Sequence, residues 1–232
     1  MCTSPKTKML ENKAYLSDQL ITYIGNKRAL LPFILGALER VKADLGKEKL
    51  RICDIFSGSG VVARAFKAHA SLLIANDLEG YCQTLNRCYL SSARERDGAQ
   101  LQKSYDFLLH RLQQPLEGGI ISELYAPSDL ENIMQGERVF YTPRNAKYID
   151  TARRAIAELD ESIQPFFLAP LLSEASVKAN TSGVFKGFYK NSATGRGQFG
   201  GNSRAALSRI CADIALPFPV FSNFDCETQI CR

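Results

Sequence analysis

The sequence predicts an α/β fold, a doubly wound and mainly parallel sheet joined to a largely helical subdomain. Three observations carry that expectation. Residues 50–56 (LRICDIF) form a short apolar run that leads at once into Ser-Gly-Ser-Gly and then into VVARAFKAHA, whose apolar residues recur at helical spacing. A second unit of the same kind follows, with SLLIANDLE (71–79) as a strand and GYCQTLNRCYLSSARER as the next helix. Two successive strand-turn-helix units are the pattern of parallel strands joined by right-handed crossovers. Finally, 232 residues with 45% hydrophobic content are enough for one full α/β domain and an additional lobe.

Taken in order, residues 15–24 (YLSDQLITYI) lead into the polar turn Gly25-Asn26-Lys27-Arg28, and ALLPFILGALERVKADL then reads as a helix of about four turns. Pro32 lies early in it, where a missing N–H costs least. After the two strand-helix units, residues 100–170 are mostly helical in pattern. TARRAIAELDESI (151–163) is the clearest amphipathic stretch, and the turn-rich YTPRNAKYID precedes it. LAPLLSEASVKAN (168–180) reads as a further helix. The next segment turns sharply toward glycine, aromatic and basic residues, and PFPVFSNFDCETQICR (217–232) reads as an extended return strand. This organisation divides the chain at 15–95, 96–212 and 213–232.

Composition narrows the function. Seven cysteines show no CxxC pair, and the two histidines, His69 and His110, have no partners at metal spacing, so a zinc site is not expected. Cys53, inside an apolar run, reads as a small buried hydrophobe, and the cysteines read as reduced thiols of a cytoplasmic protein. No stretch has the length and apolarity of a signal peptide or a membrane span. A formal charge of +5 favours polyanionic partners without identifying one.

The chemistry concentrates at Asp54-Ile55-Phe56-Ser57-Gly58-Ser59-Gly60, where the first strand hands over to the first helix. Glycines there let the backbone approach a ligand closely, and the start of a helix offers N–H groups to an anion. The third glycine of the dinucleotide fingerprint is missing, which counts against a nicotinamide oxidoreductase. Asp77, at the end of the second strand, is placed to accept hydrogen bonds from both hydroxyls of a ribose; its alternative role is to cap the helix that follows.

These residues resemble motif I (D/E-x-F-x-G-x-G) and motif II of the S-adenosylmethionine-dependent DNA methyltransferases. Tyr23-Ile24-Gly25-Asn26-Lys27-Arg28-Ala29-Leu30-Leu31 resembles motif X of the adenine-N6 enzymes. The order X, I, II followed by a long recognition region is that of the alpha-type, Dam-like class. The resemblance implies a Rossmann-like fold and S-adenosylmethionine as cofactor. It would place Tyr23, Gly25, Asn26, Lys27, Asp54, Phe56, Ser57, Gly58 and Gly60 around the methionine part and Asp77 at the ribose. Asp225, close to the family's catalytic strand, would neighbour the adenine.

Between Ala175 and Ala212 the chain carries six basic residues and no acid, interleaved with Phe185, Phe188, Tyr189 and Phe199. Cations there can neutralise phosphates while aromatics stack on bases, and the glycines let the loop adapt to a duplex. Lys178, Lys186, Tyr189, Lys190, Arg196 and Arg204 are therefore the expected contacts to double-stranded DNA; a solvated flexible loop is the alternative. The family's D/N-P-P-Y/F motif is absent, since the chain has no Pro-Pro pair. The expectation is a chain without catalytic residues or its last sheet strands, inactive alone. Its partners would be DNA and a cognate restriction endonuclease or a chain supplying the remainder. A non-catalytic DNA-binding or regulatory remnant is the competing reading.

Overall fold

A computed structural model describes residues 10–17, 20–21, 25–182, 187–201 and 203–232. The chain divides into two compact units. The first holds the described residues of 1–19, 25–97 and 219–232, and the second those of 20–24 and 98–218. Residues 213–218 thus pack with the helical unit, and the return segment starts at Pro219.

The first unit contains a three-stranded parallel sheet in the order β1 (Leu50–Asp54), β2 (Ala70–Asn76) and β5 (Glu227–Cys231). Asp54 pairs with Ala75 and Asn76 with Cys231, so the carboxyl ends of all three strands share one edge of the sheet. Around the sheet run α1 (Lys13–Ser17), α2 (Leu31–Leu45), α3 (Val61–Phe66) and α4 (Gly80–Tyr89). Ala63, Ala70, Leu73, Ala75, Leu90 and Cys226 form a buried core against which Ile52, Phe66 and Ile230 pack.

Two buried cations tie α3 and the turn after it to the rest. Lys67 Nζ donates to the carbonyls of Leu90 and Ser91, and Arg64 Nη1 donates to the Tyr15 carbonyl. Tyr15 in turn donates its hydroxyl to the Tyr89 carbonyl at 2.7 Å. Charged groups tolerate such depth only when paired in this way.

β1 lies at the margin of this sheet, and the alternation of its side chains overturns one expectation. Cys53 is exposed, because successive side chains of an edge strand alternate and only one face of β1 is covered. Two helices proved shorter than their periodic patterns, α3 ending at Phe66 and α4 at Tyr89.

The second unit is built on α5 (Gly98–Gln113), α6 (Ile120–Leu124), α7 (Pro143–Ala157) and α8 (Gln164–Lys178). It also holds the short strands β3 (Thr181–Ser182) and β4 (Gly187–Phe188) and then α9 (Arg204–Cys211). The segment expected as a turn before residue 151 is the first half of α7. Thr142 caps that helix, its hydroxyl accepting from the Asn145 N–H, and Pro143 opens it. The helical pattern expected to run to 163 stops at Ala157, and α8 begins at Gln164.

Asp150, buried on α7, accepts from the N–H groups of Ile121 and Ser122 at the start of α6. Asn145 holds the segment after α9 through the Ala212 carbonyl and the Ile214 N–H. Tyr105 lies between Phe167 and the edge of Phe218 and donates its hydroxyl to the Leu216 carbonyl. No helix among the described residues is long and apolar enough to cross a membrane.

Candidate functional site

Parallel strands end together, and the chain must turn sharply there to enter a helix, so the carboxyl edge of an open sheet is where ligands bind. At that edge β1 ends in Asp54 and the glycine turn follows. Gly58 and Gly60 have φ of 54° and 78°, left-handed values that favour glycine. The turn is tied across to the end of β2. The Ser57 N–H donates to the Asn76 carbonyl at 3.0 Å, and the Gly58 N–H to Asp77 Oδ2 at 2.8 Å. The Asn76 side chain returns a bond to the Ile55 carbonyl.

Asp77 is buried, and its second oxygen accepts from the Glu79 N–H at 3.1 Å. The carboxylate therefore holds the glycine turn and the start of the following helix at once. Two oxygens offer about four acceptor positions, so these two bonds leave room for more.

Asp54 differs. Its Oδ2 is buried and has no hydrogen-bond partner among the described residues. Burial pushes the carboxyl above its ordinary 3.8; the Lys27 charge and the Ala63 N–H oppose the rise, and the neighbouring Asp77 adds to it. Lys27 is itself exposed. Asn26 accepts from the Arg28 N–H and shapes the turn, in which Gly25 has φ 78°. Phe56 is 82% exposed, as an aromatic at the rim of a binding turn can be, while Ser57 and Ser59 are buried. Tyr23 lies outside the described residues.

Among the described residues, then, Asp54, Ser57, Gly58, Gly60 and Asp77 share one constellation, with the Lys27 charge acting on Asp54. Asp225 is not part of it. β5 runs parallel to β2 with Glu227 opposite Leu72, so Asp225 precedes the strand and lies at the opposite edge of the sheet. Its Oδ1 accepts from the Ala93 N–H, and it lines an open cavity of about 530 Å³ with Ser92, Glu95 and Thr228. The structure thus separates it from the glycine turn by strand direction, which no local pattern reveals.

Sequence reasoning missed Asn86 and Arg232. Arg232, just beyond β5, donates through Nε to the Leu78 carbonyl at this edge. Asn86, on α4, is 2% exposed and donates to Ser57 Oγ at 2.8 Å.

In the second unit the basic segment is ordered around a hairpin. Thr181 pairs with Phe188 and Lys190 bridges to Gly197, so Lys190 and Arg196 flank the tip. Asn191 closes that tip, its side chain accepting from the N–H groups of Ala193 and Thr194. Lys190, Arg196 and Arg204 are exposed, and Lys190 lies 5.4 Å from the Phe188 ring centre. Lys178 ends α8, half-buried. Tyr189 is also half-buried, its ring packed on the Gly201 backbone. Lys186 lies outside the described residues.

At the base, Asn180 is fully buried and fully engaged. It donates to the carbonyls of Val139 and Gln198 and accepts from the Gly200 N–H. A Cβ at Gly197 would collide with Val139, and one at Gly201 with Tyr189. These glycines serve close packing instead of the adaptability expected of them.

Comparison with known proteins agrees with this geometry. The D12 class N6 adenine-specific DNA methyltransferase family matches residues 23–199. The type II methyltransferase M.NlaIII of Neisseria lactamica is 34% identical over 178 residues, covering 74% of this chain and 50% of that protein. The type II methyltransferase M.CviAII of Paramecium bursaria Chlorella virus 1 is 25% identical over 174 residues, covering 73% and 49%. The chain spans about half the length of these relatives. No solved structure matches it. A sheet whose strand ends converge on an acidic glycine turn, with a family match that covers most of the sequence, places this chain in the D12 class of N6 adenine-specific DNA methyltransferases.

Proposed function

We propose that this chain is the cofactor-binding and DNA-contacting part of an S-adenosylmethionine-dependent adenine-N6 methyltransferase of a restriction-modification system. The observation that carries the reading is the buried Asp54 oxygen without a hydrogen-bond partner among the described residues, set against a glycine turn that Asp77 and Asn76 tie in place. A buried acceptor left unmade is costly, and a ligand cation removes that cost.

The residues present fit the cofactor. Asp54 would receive the methionine ammonium, Lys27 would attract its carboxylate, and Gly58 and Gly60 leave space for the backbone to approach. Asp77 keeps acceptor capacity for the ribose hydroxyls. S-adenosylmethionine would supply an electrophilic methyl group to the amino nitrogen of a target adenine. This chain's residues bind and orient the donor. Lys190, Arg196 and Arg204, with Lys178 behind them, would neutralise DNA phosphates and set the register of the duplex. With no Pro-Pro pair in the sequence, the reading assigns methyl transfer itself to residues beyond this chain.

Calorimetric titration with S-adenosylmethionine tests the reading. The parent is expected to bind, and Asp54→Ala and Asp77→Ala to abolish binding. A folded parent that takes up no cofactor would overturn it.

A further inference from the structure

The structure assigns to Asn86 a positioning role: its buried amide, beside Asp77, holds the glycine turn in its ligand-ready shape. This inference rests on the cofactor reading above. Asn86 lies on α4, outside the residues assigned to the three motifs, yet its side chain meets the turn at two points. Nδ2 donates to Ser57 Oγ at 2.8 Å. Oδ1 lies so near the position a Cβ on Gly60 would take that an added side chain would collide with the amide. Ser57 Oγ donates onward to the Asn76 carbonyl at 3.2 Å, which completes a chain from α4 through the turn to the end of β2.

The physical consequence concerns pre-organisation. The turn takes left-handed φ at Gly58 and Gly60, which glycine tolerates without enforcing. Something must therefore select one conformation. Asp77 fixes the backbone at Gly58, and Asn86 fixes Ser57 and closes the space over Gly60. At 2% exposure the amide bonds in a low-dielectric setting, where a satisfied network is rigid and a broken one is costly. Asn86 reaches the ligand only through the turn. Its removal is expected to lower the population of the binding-competent turn, and an apparent Kd rises by the factor that population falls.

The test compares the parent chain with Asn86→Ala by amide hydrogen exchange without ligand, by thermal melting and by titration with S-adenosylmethionine. Exchange at Ser57, Gly58 and Gly60 is expected to quicken by about tenfold and the Kd to rise by about as much, while β2 keeps its protection. Ser57→Ala, which removes the same bond from the turn side, is expected to reproduce the exchange change and serves if Asn86→Ala fails to fold. Gly60→Ala supplies a coupling measurement: its effect on exchange should shrink in the Asn86→Ala background, where its collision partner is gone. Unchanged exchange in the folded variants, or strictly additive effects, would overturn the assignment. If exchange responds but the parent binds no S-adenosylmethionine, the positioning role stands and the cofactor reading falls.

Discussion

Two glycine-bearing turns, one in each unit, look alike in sequence and do opposite things. The turn after β1 follows Asp54, whose buried carboxylate oxygen has no partner among the described residues. The hairpin after α8 is rooted on a buried Asn180 whose side chain makes three hydrogen bonds, to Val139, Gln198 and Gly200. In the first, Gly58 and Gly60 supply backbone conformations. In the second, Gly197 and Gly201 make room for Val139 and Tyr189. On the proposed reading, the unsatisfied group in the first region awaits a ligand, while the satisfied one in the second is a joint of the scaffold.

Exchanging the defect between the two turns gives the largest expected effects. Gly60→Ala forces a side chain into φ 78° and against Asn86, a strain of roughly 1–3 kcal/mol from the backbone alone. Cofactor binding should be lost in a calorimetric titration. Gly197→Ala, which collides with Val139, should instead lower the melting temperature and leave cofactor affinity at the parent value. If both variants lose cofactor affinity equally, the contrast between the turns fails.

Asn180→Ala comes next. Removing it strands the buried Val139 carbonyl, the partly buried Gln198 carbonyl and the Gly200 N–H, a cost of about 3 kcal/mol that denaturant unfolding would register. Loss of DNA binding should accompany it, since this base supports the hairpin whose tip carries Lys190 and Arg196. Retained DNA affinity in a destabilised variant would show that the hairpin is not the contact surface.

The charge of Asp54 gives a pH dependence. Its folded-state pKa is raised, chiefly by burial, so ionisation works against the ligand-free fold. Its stabilising contribution is present below the ordinary value of 3.8 and is lost as pH rises through the raised one. Asp54→Asn is therefore expected to melt higher than the parent at neutral pH without ligand and yet to bind S-adenosylmethionine far more weakly. In the parent, affinity should strengthen as pH rises through that range, because only the ionised carboxyl attracts the ammonium. Titrations across the acid range check the slope, which Asp54→Asn should flatten.

The smallest effects belong to the hairpin tip. Lys190→Ala and Arg196→Ala should each reduce the salt dependence of DNA binding by about one phosphate contact, nearly uniformly over sequences. A variant that changes sequence preference instead would be reading bases.

The parts legible in sequence were those set by neighbours along the chain. Apolar runs of strand length with glycine turns located β1, β2 and the helices after them, and the acids at both strand ends were visible for the same reason. Local chemistry also held the start of α7, in Thr142 and Pro143, although the polar residues around them suggested a turn.

What tertiary structure alone decided involves partners far apart in sequence. Asn86 reaches Ser57 and Asn180 reaches Val139, two ordinary asparagines whose importance comes from burial. The alternation of side chains along β1, one of whose faces is uncovered, turned Cys53 outward, and the direction of β5 carried Asp225 away from the glycine turn. Periodicity reports which face of an element is apolar. Strand order, strand direction and the closure of polar networks depend on which distant segments meet, and no local pattern encodes that.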